Sequence, residues 1–253
     1  MNYNNPFDTT QYGQQSTAAT YDAGLRAYML KIYNYMASAL VLTGLVAMFI
    51  AKISVVTNDA GQIMGLSEFG ATMFGGPLKW VVMLLPLAFV LVLSFGINRL
   101  SVFATQSIFW AYSAAMGVSL STIFLAYTGE SIARVFFITA GTFGAMSIYG
   151  YTTKRDLTGM GSFLIMGLIG VIIASVVNIF LESRALHFAV SVIGLFIFIG
   201  LTAYDTQRLK NMYYQLAGNA SMMAKASVMG ALSLYLDFIN IFMYLIQFMG
   251  DRR

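Results

Sequence analysis

Residues 157–181 read LTGMGSFLIMGLIGVIIASVVNIFL, a run of 25 residues without a charge between Asp156 and Glu182. A helix needs about 20 mostly apolar residues to cross the hydrocarbon core of a bilayer. The run does not alternate between apolar and polar residues, as the strands of a membrane-spanning barrel do. It therefore predicts a transmembrane helix over residues 161–181.

The rest of the chain repeats this pattern between its few charged residues. The 253 residues are 58% hydrophobic and 9% charged, with a mean hydropathy of +0.74, whereas soluble domains carry roughly 25% charged residues. These values exclude a soluble protein, and we predict an all-α integral membrane protein with seven transmembrane helices. The predicted spans are residues 28–50, 80–98, 103–127, 135–152, 161–181, 186–205 and 227–249.

The segments outside the spans are polar. Residues 1–22 contain no basic residue and are predicted to form a flexible tail ahead of a membrane domain over residues 23–253. Two loops are expected to be long: residues 52–79, with a turn at Asn58–Gly61, and residues 206–225, with a turn at Gly218–Asn219.

Several kinds of site are excluded by composition alone. The chain has no cysteine and one histidine, His187, which removes disulfides, thiolate metal sites and any site that needs two imidazoles. The longest basic run is a pair such as Lys154–Arg155. A nucleic-acid partner is therefore not expected.

The basic residues predict the orientation, because Lys and Arg collect in cytoplasmic loops. With the N-terminus inside, the inner set holds eight residues: Arg26, Lys31, Arg99, Lys154, Arg155, Arg208, Lys210 and Lys225. The outer set holds six: Lys52, Lys79, Arg134, Arg184, Arg252 and Arg253. We predict a cytoplasmic N-terminus and an external C-terminus.

Small residues spaced by four indicate where helices approach closely. The third span carries Ser113, Gly117 and Ser121. The fourth span carries Gly141 and Ala145. Both stripes are predicted to lie at helix–helix interfaces.

The seventh predicted span contains an acid, Asp237, near its middle. A charge at that depth costs about 2.5–3.5 kcal/mol on insertion scales, and such acids are functional candidates by default. Polar side chains also stand four residues before, three after and seven after it: Ser233, Asn240 and Tyr244. Helical spacing places all of them on one face, so we expect a polar stripe toward the bundle interior.

A second acid, Asp205, closes the sixth span. An ordinary interfacial ion pair with Arg208 at i+3 would be worth a few tenths of a kcal/mol. Arg99 ends the second span on the same side of the membrane. It is either an anchor whose long side chain reaches the interface or a counter-charge for the two acids.

Four stretches resemble one family. They are Leu25–Tyr33 (LRAYMLKIY), Thr153–Leu157 (TKRDL), Tyr204–Arg208 (YDTQR) and Ala231–Phe242 (ALSLYLDFINIF). Together they are similar to the Bax inhibitor-1 family, also called transmembrane Bax-inhibitor-motif proteins, and this copy looks like a bacterial member. The resemblance covers the chain from about Ala23 to Gly250.

The resemblance implies a fold and an activity. The fold is six helices around a central seventh, and the activity is a pH-sensitive calcium leak across the bacterial inner membrane. The family's paired acids match Asp205 and Asp237, and its basic residue on the second helix matches Arg99. The implied partners are the bilayer, calcium and protons, with no cofactor.

Two neighbouring carboxylates can act as a proton-sensitive gate. At 4 Å and an effective dielectric near 20 they repel by about 4 kcal/mol, so they would share one proton. We expect Asp205, Asp237 and Arg99 to form an inner gate. The supporting side chains are Tyr204, Arg208, Ser233 and Asn240. Calcium takes roughly 6–8 oxygen ligands, so this set suits weak transit rather than tight storage.

Of three alternatives, the last two stay open. An intramembrane aspartyl protease would carry Gly-x-Gly-Asp at its second acid, but Leu234–Leu236 precede Asp237, so an enzyme is not expected. A non-conducting regulator of stress or membrane proteolysis would use the acids as a structural clasp and act on other membrane proteins. A proton-coupled cation exchanger would use them as the proton carrier.

Overall fold

A computed structural model describes residues 8–58, 63–216 and 218–253, with side chains from Ala23 onward. Within these residues, seven helices are long and apolar enough to cross a membrane, which confirms the predicted fold class. The helices are α1 (Asp8–Ile53), α2 (Glu68–Gly70), α3 (Leu78–Gly96), α4 (Val102–Ala126), α5 (Gly129–Thr152), α6 (Thr158–Leu181), α7 (Arg184–Gln215) and α8 (Ala220–Met249). All except α2 are candidate spans, that of α1 covering Ala23–Ile53.

Helix α1 begins inside the segment predicted as a tail. Its backbone is helical from Asp8, whereas the sequence places the first span from residue 28. Residues 1–7 lie outside the described residues. The flexibility of residues 1–22 therefore stays a prediction.

The predicted inner loop over residues 206–225 is wrong, because most of it is helical. Helix α7 continues to Gln215 and α8 begins at Ala220. The segment is rich in Met, Gln, Lys and Leu, which are good helix formers in water as well as in lipid. The turn was placed correctly: Gly218 has a φ of +100°, and Asn219 Oδ1 accepts from the Met222 backbone N–H at 3.0 Å.

The other long loop carries a small hairpin. Strand β1 (Val55–Thr57) pairs antiparallel with β2 (Ile63–Leu66). The predicted turn at Asn58–Gly61 lies in part outside the described residues. After β2, the short helix α2 and a π-helical turn over Ala71–Gly75 lead to Pro77, which precedes α3.

Helix α8 is the most buried of the spans. In its most apolar window 61% of the residues are buried, against 6% in α6. It packs against α1, α4, α5 and α7, whereas α3 packs mainly on α4 and α6 mainly on α7. Four helices therefore hold α8 directly, and a complete ring of six around it is not confirmed.

One of the two small-residue stripes is an interface. Ser113, Gly117 and Ser121 are all buried on α4, and a Cβ at Gly117 would come within 2.7 Å of the Thr43 carbonyl oxygen on α1. The stripe on α5 is wrong, since Gly141 and Ala145 are exposed.

Helix α5 buries a different face. That face runs through Thr139, Phe143 and Ser147 to Gly150. A Cβ on Gly150 would collide with the carbonyl oxygen of Ala203 on α7. The close approach of α5 to α7 therefore depends on a glycine that the four-residue spacing did not mark.

Candidate functional site

Helices α7 and α8 bring the two predicted acids to one place. Asp205 is 7% exposed and Asp237 is 4% exposed. Ser233, one helical turn before Asp237 on α8, is hydrogen-bonded to Asp205 on α7. Both acids are buried, as expected for the interior of the bundle, and their joint role as a site stays a prediction.

Two side chains hold Asp205, those of Ser233 and Arg208. Its Oδ2 accepts from the Ser233 hydroxyl at 2.8 Å, and its Oδ1 is paired with Arg208 Nη2 at 3.2 Å. The same Arg208 nitrogen donates to Ser233 Oγ at 3.1 Å. We call this set the Asp205 clasp; it joins α7 to α8 one helical turn before Asp237.

Tyr204 supports the clasp from the side. The Arg208 guanidinium carbon lies 5.8 Å from the centre of the Tyr204 ring, within the range of a cation–π contact. The ring lies against α6 at Gly161, where a Cβ would collide with it. Tyr204 therefore links the position of Arg208 to the packing of α6 on α7.

Asp237 differs from Asp205 in having an unused carboxylate oxygen. Its Oδ2 is buried and has no hydrogen-bond partner among the described residues. An unsatisfied buried polar atom costs about 1–3 kcal/mol, and more when it is charged. A proton, a water molecule or a cation at this oxygen would reduce that cost.

The rest of the polar stripe leads from Asp237 toward the opposite end of α8. Asn240 Nδ2 donates to the Leu236 carbonyl at 2.8 Å, so this amide turns back onto its own helix. Beyond it, the Tyr244 and Phe198 rings lie 6.2 Å apart. Helices α7 and α8 are therefore in close contact between the acids and the far end.

A polar pocket lies beyond that contact. It has a volume of about 290 Å³ between α6, α7 and α8. Its polar lining residues are Ser175, Asn178, His187, Ser191, Tyr244 and Gln247. The stripe on α8 thus connects the Asp205 clasp to a polar pocket at the other end of the bundle.

Arg99 does not take part in the site in this structure. It is exposed in the turn between α3 and α4, and it forms no ion pair among the described residues; the counter-charge of Asp205 is Arg208. The physical reason is proximity, because a residue at i+3 on the same helix is already in reach. The predicted contact of Arg99 with the acids is absent here.

Gln207 is a positioning residue that the sequence reading missed. Its Oε1 accepts from the Leu157 N–H at 2.8 Å, and its Nε2 donates to the Arg155 carbonyl at 2.7 Å. It therefore fastens the turn between α5 and α6 to α7, beside the clasp. Its place between Asp205 and Arg208 in the YDTQR stretch is the feature of the sequence that could have indicated this role.

The described residues contain no group of three or more His, Asp or Glu side chains that could hold a metal ion. A cation at Asp205 and Asp237 would take its remaining ligands from other oxygens. One of these oxygens is Ser233 Oγ, which is hydrogen-bonded to Asp205. Backbone carbonyls and water would supply the rest of the 6–8 oxygens that calcium takes.

Comparison with known proteins places these residues in a family. The sequence profile described as "Inhibitor of apoptosis-promoting Bax1" matches residues 25–253. An uncharacterized protein of Rickettsia prowazekii is 52% identical over 92% of this chain and 93% of its own length. The inner membrane protein YbhL of Escherichia coli is 47% identical over 91% of this chain and 94% of its own length. The chain, with its seven apolar helices and its two buried acids, belongs to the Bax inhibitor family of membrane proteins.

Proposed function

We propose that the chain is a pH-sensitive calcium leak channel of the bacterial inner membrane, gated by Asp205 and Asp237. The observation that carries the proposal is the buried Asp237 oxygen, which has no hydrogen-bond partner among the described residues and lies one helical turn from the Asp205 clasp. The name of the Escherichia coli relative supports an inner-membrane location. The protein would move ions without a cofactor and would not act as an enzyme.

In this proposal, the channel is closed when the Asp205 clasp is formed. With Asp205 ionised, its carboxylate is bonded to both Ser233 and Arg208, which holds α7 against α8. A change in the number of protons on the pair alters this bonding and the repulsion between the two carboxyls, about 4 kcal/mol for two charges at 4 Å and a dielectric near 20. The balance between α7–α8 contact and separation then follows the pH.

The path for the cation follows the polar stripe. It runs from the polar pocket past Tyr244 and Asn240 to Asp237, and leaves beside Asp205. The contact between Tyr244 and Phe198 blocks this path while α7 and α8 are together. Opening therefore requires the two helices to separate along the stripe.

Calcium entry into proteoliposomes tests the proposal. Purified protein is reconstituted with a calcium-sensitive dye inside, and entry is measured from about pH 5 to 8, a range that brackets a proton-sharing pair. Asp237→Asn mimics the protonated acid in shape and charge. We expect Asp237→Asn to flatten the pH dependence of the flux, because only Asp205 of the pair is left to titrate, and Asp205→Asn to alter the pH profile as well.

The matched control is Asp251→Asn. Asp251 is exposed at the opposite end of the bundle, where it pairs with Arg134 at 2.8 Å. This variant should keep the wild-type pH profile. An Asp237→Asn protein with an unchanged profile would disprove gating by the pair.

The same assay separates the alternatives. Flux that disappears when a protonophore collapses the proton gradient would indicate an exchanger. No flux above empty liposomes at any pH would indicate a non-conducting regulator, for which the Asp205 clasp is a structural link between α7 and α8.

A further inference from the structure

A crevice opens sideways from the bundle between α1 and α5. Its volume is about 450 Å³, within the roughly 300–1,000 Å³ of ligand sites in proteins. Helix α1 packs on α4, α7 and α8, while α5 packs on α7 and α8. The gap between α1 and α5 is therefore left uncovered, at the same end of the bundle as Asp205.

The walls of the crevice are apolar over most of their length. Helix α1 contributes Met29, Leu30 and Tyr33, and α5 contributes Phe143, Gly144, Ser147, Ile148 and Tyr151. Leu30 is 51% exposed and Ile148 is 66% exposed, which places the rim in contact with the hydrocarbon of the bilayer.

Positive charge lies at one end of the crevice. Arg26 is among the lining residues, is exposed and forms no ion pair within the part of the chain that the structure describes. Lys210 Nζ donates to the Tyr151 carbonyl at 2.8 Å and lies 5.3 Å from the centre of its ring. None of the described residues that line the crevice is acidic, so its mouth favours an anion.

We propose that this crevice binds one anionic phospholipid, with an acyl chain between α1 and α5 and the head-group phosphate at Arg26. The tail alone gives no preference, because lipid tails are as apolar as the side chains of the walls. The selectivity comes from the head group, since each Lys or Arg near an anionic lipid contributes about a fivefold preference.

A partner helix fits the crevice less well than a lipid. A helix is about 10 Å across with its side chains and rises about 5.4 Å per turn, so the volume would hold about one turn. A single acyl chain is narrower and enters from the side on which the crevice already faces the bilayer. A positive charge at the mouth favours a head group with a net negative charge, whereas the phosphate of phosphatidylcholine is neutralised by its own choline.

The floor of the crevice is connected to the candidate site. The Tyr33 hydroxyl is hydrogen-bonded to Ser147 Oγ, which is bonded in turn to Thr206 Oγ1 at 3.0 Å. Thr206 follows Asp205 on α7. A bound lipid would therefore order side chains that hold α7 beside the Asp205 clasp.

Native mass spectrometry with added lipids tests the binding site. Purified protein is titrated with phosphatidylglycerol and phosphatidylcholine of the same chain length. We expect about a fivefold preference of the wild type for phosphatidylglycerol, as one cation at the phosphate predicts. Arg26→Gln should remove this preference and leave the weaker binding of phosphatidylcholine, while Arg155→Gln, an exposed cation outside the crevice, should not.

A second pair of variants tests the apolar part. Gly144→Leu places a side chain in the crevice, where a Cβ has no atom within 4 Å, so the fold should tolerate it. It should reduce the binding of both lipids. Gly170→Leu is the matched control, because its Cβ also meets nothing within 4 Å but lies on α6.

Either of two results would overturn the proposal. One is equal lipid binding by the Gly144→Leu and Gly170→Leu proteins. The other is a phosphatidylglycerol preference that survives Arg26→Gln. A copurifying protein chain that phosphatidylglycerol does not displace would assign the crevice to a partner helix instead.

Discussion

Ser233 joins two charged groups of the site through one hydroxyl. It donates to Asp205 at 2.8 Å and accepts from Arg208 at 3.1 Å. The methyl group of an alanine at this position could neither donate a hydrogen bond to Asp205 nor accept one from Arg208. This hydroxyl therefore links the Asp205–Arg208 pair to α8.

We predict that Ser233→Ala weakens the closed state. A hydrogen bond to a charged group is worth about 1.5–3 kcal/mol, but the Arg208 side chain is 42% exposed, so solvent screening reduces the loss to about 1 kcal/mol. Thermal unfolding in detergent should show a lower midpoint, and calcium flux at neutral pH should rise. Ser162→Ala is the control, since that hydroxyl donates only to its own helix; equal flux in both variants would contradict the role of the clasp.

Asp156 lies outside the membrane spans, and we predict that it stabilises the start of α6 in a pH-dependent way. Hydrogen bonds from the Thr158 hydroxyl and backbone N–H lower the pKa of Asp156 below its ordinary value of 3.8. A lowered pKa means that the ionised carboxyl stabilises the start of α6 above pH 3.8, and that this contribution is lost as the pH falls through the lowered value. Amide protection at Thr158, measured by hydrogen exchange, should exceed that of Asp156→Ala at neutral pH, and the difference should shrink only in strong acid.

The pairing of Asp205 with Arg208 at i+3 could be predicted from the sequence, but the place of Arg99 could not. Spacings of three and four residues place Ser233 and Asp237 on one face of any helix, so the stripe did not depend on tertiary structure. Whether Arg99 also reaches the acids depends on how α3 ends relative to α7. That geometry is set by turns and packing, which no spacing along the chain records.

The uncharged stretches between charged residues mark where a helix contacts lipid, not where the helix ends. They located all seven spans, because a charge in hydrocarbon is costly on every helix. They failed for α7 and α8, which extend through polar residues to Gln215 and from Ala220. A helix leaving the membrane can continue in water when its residues are good helix formers, so polarity alone did not end it.

The close contact between α5 and α7 at Gly150 predicts how two glycine variants differ in stability. Gly150→Ala would drive a Cβ into the Ala203 carbonyl, and overpacking of this kind costs about 1–3 kcal/mol. Gly141→Ala is the matched control on the same helix: its Cβ meets nothing within 4 Å, and alanine is favoured over glycine in a helix by up to about 1 kcal/mol. Thermal unfolding should therefore show a lower midpoint for Gly150→Ala and an equal or higher one for Gly141→Ala. Equal midpoints for the two variants would show that α5 and α7 can separate at this point without loss.

For the whole molecule, the uneven packing around α8 has a functional consequence. The helix that carries Asp237 is the most buried span, and α3 and α6 lie at the periphery of the bundle. Asp237, which is 4% exposed, is therefore shielded from lipid by the helices packed around α8. Sequence polarity could predict that α8 lies inside, but the crevice between α1 and α5 follows only from which helices pack together.

The orientation of the bundle can be tested directly because the chain has no cysteine. Eight of the 14 basic residues lie at the Asp205 end, and the excess of Lys and Arg is expected on the cytoplasmic side. A single thiol is placed at that end by Arg155→Cys and at the opposite end, in the first turn of α5, by Glu130→Cys; both positions are exposed. In intact spheroplasts, a membrane-impermeant maleimide should label Glu130→Cys at once and Arg155→Cys only after the membrane is opened. The reverse pattern would place the Asp205 clasp on the outer side, where it would respond to external rather than cytoplasmic pH.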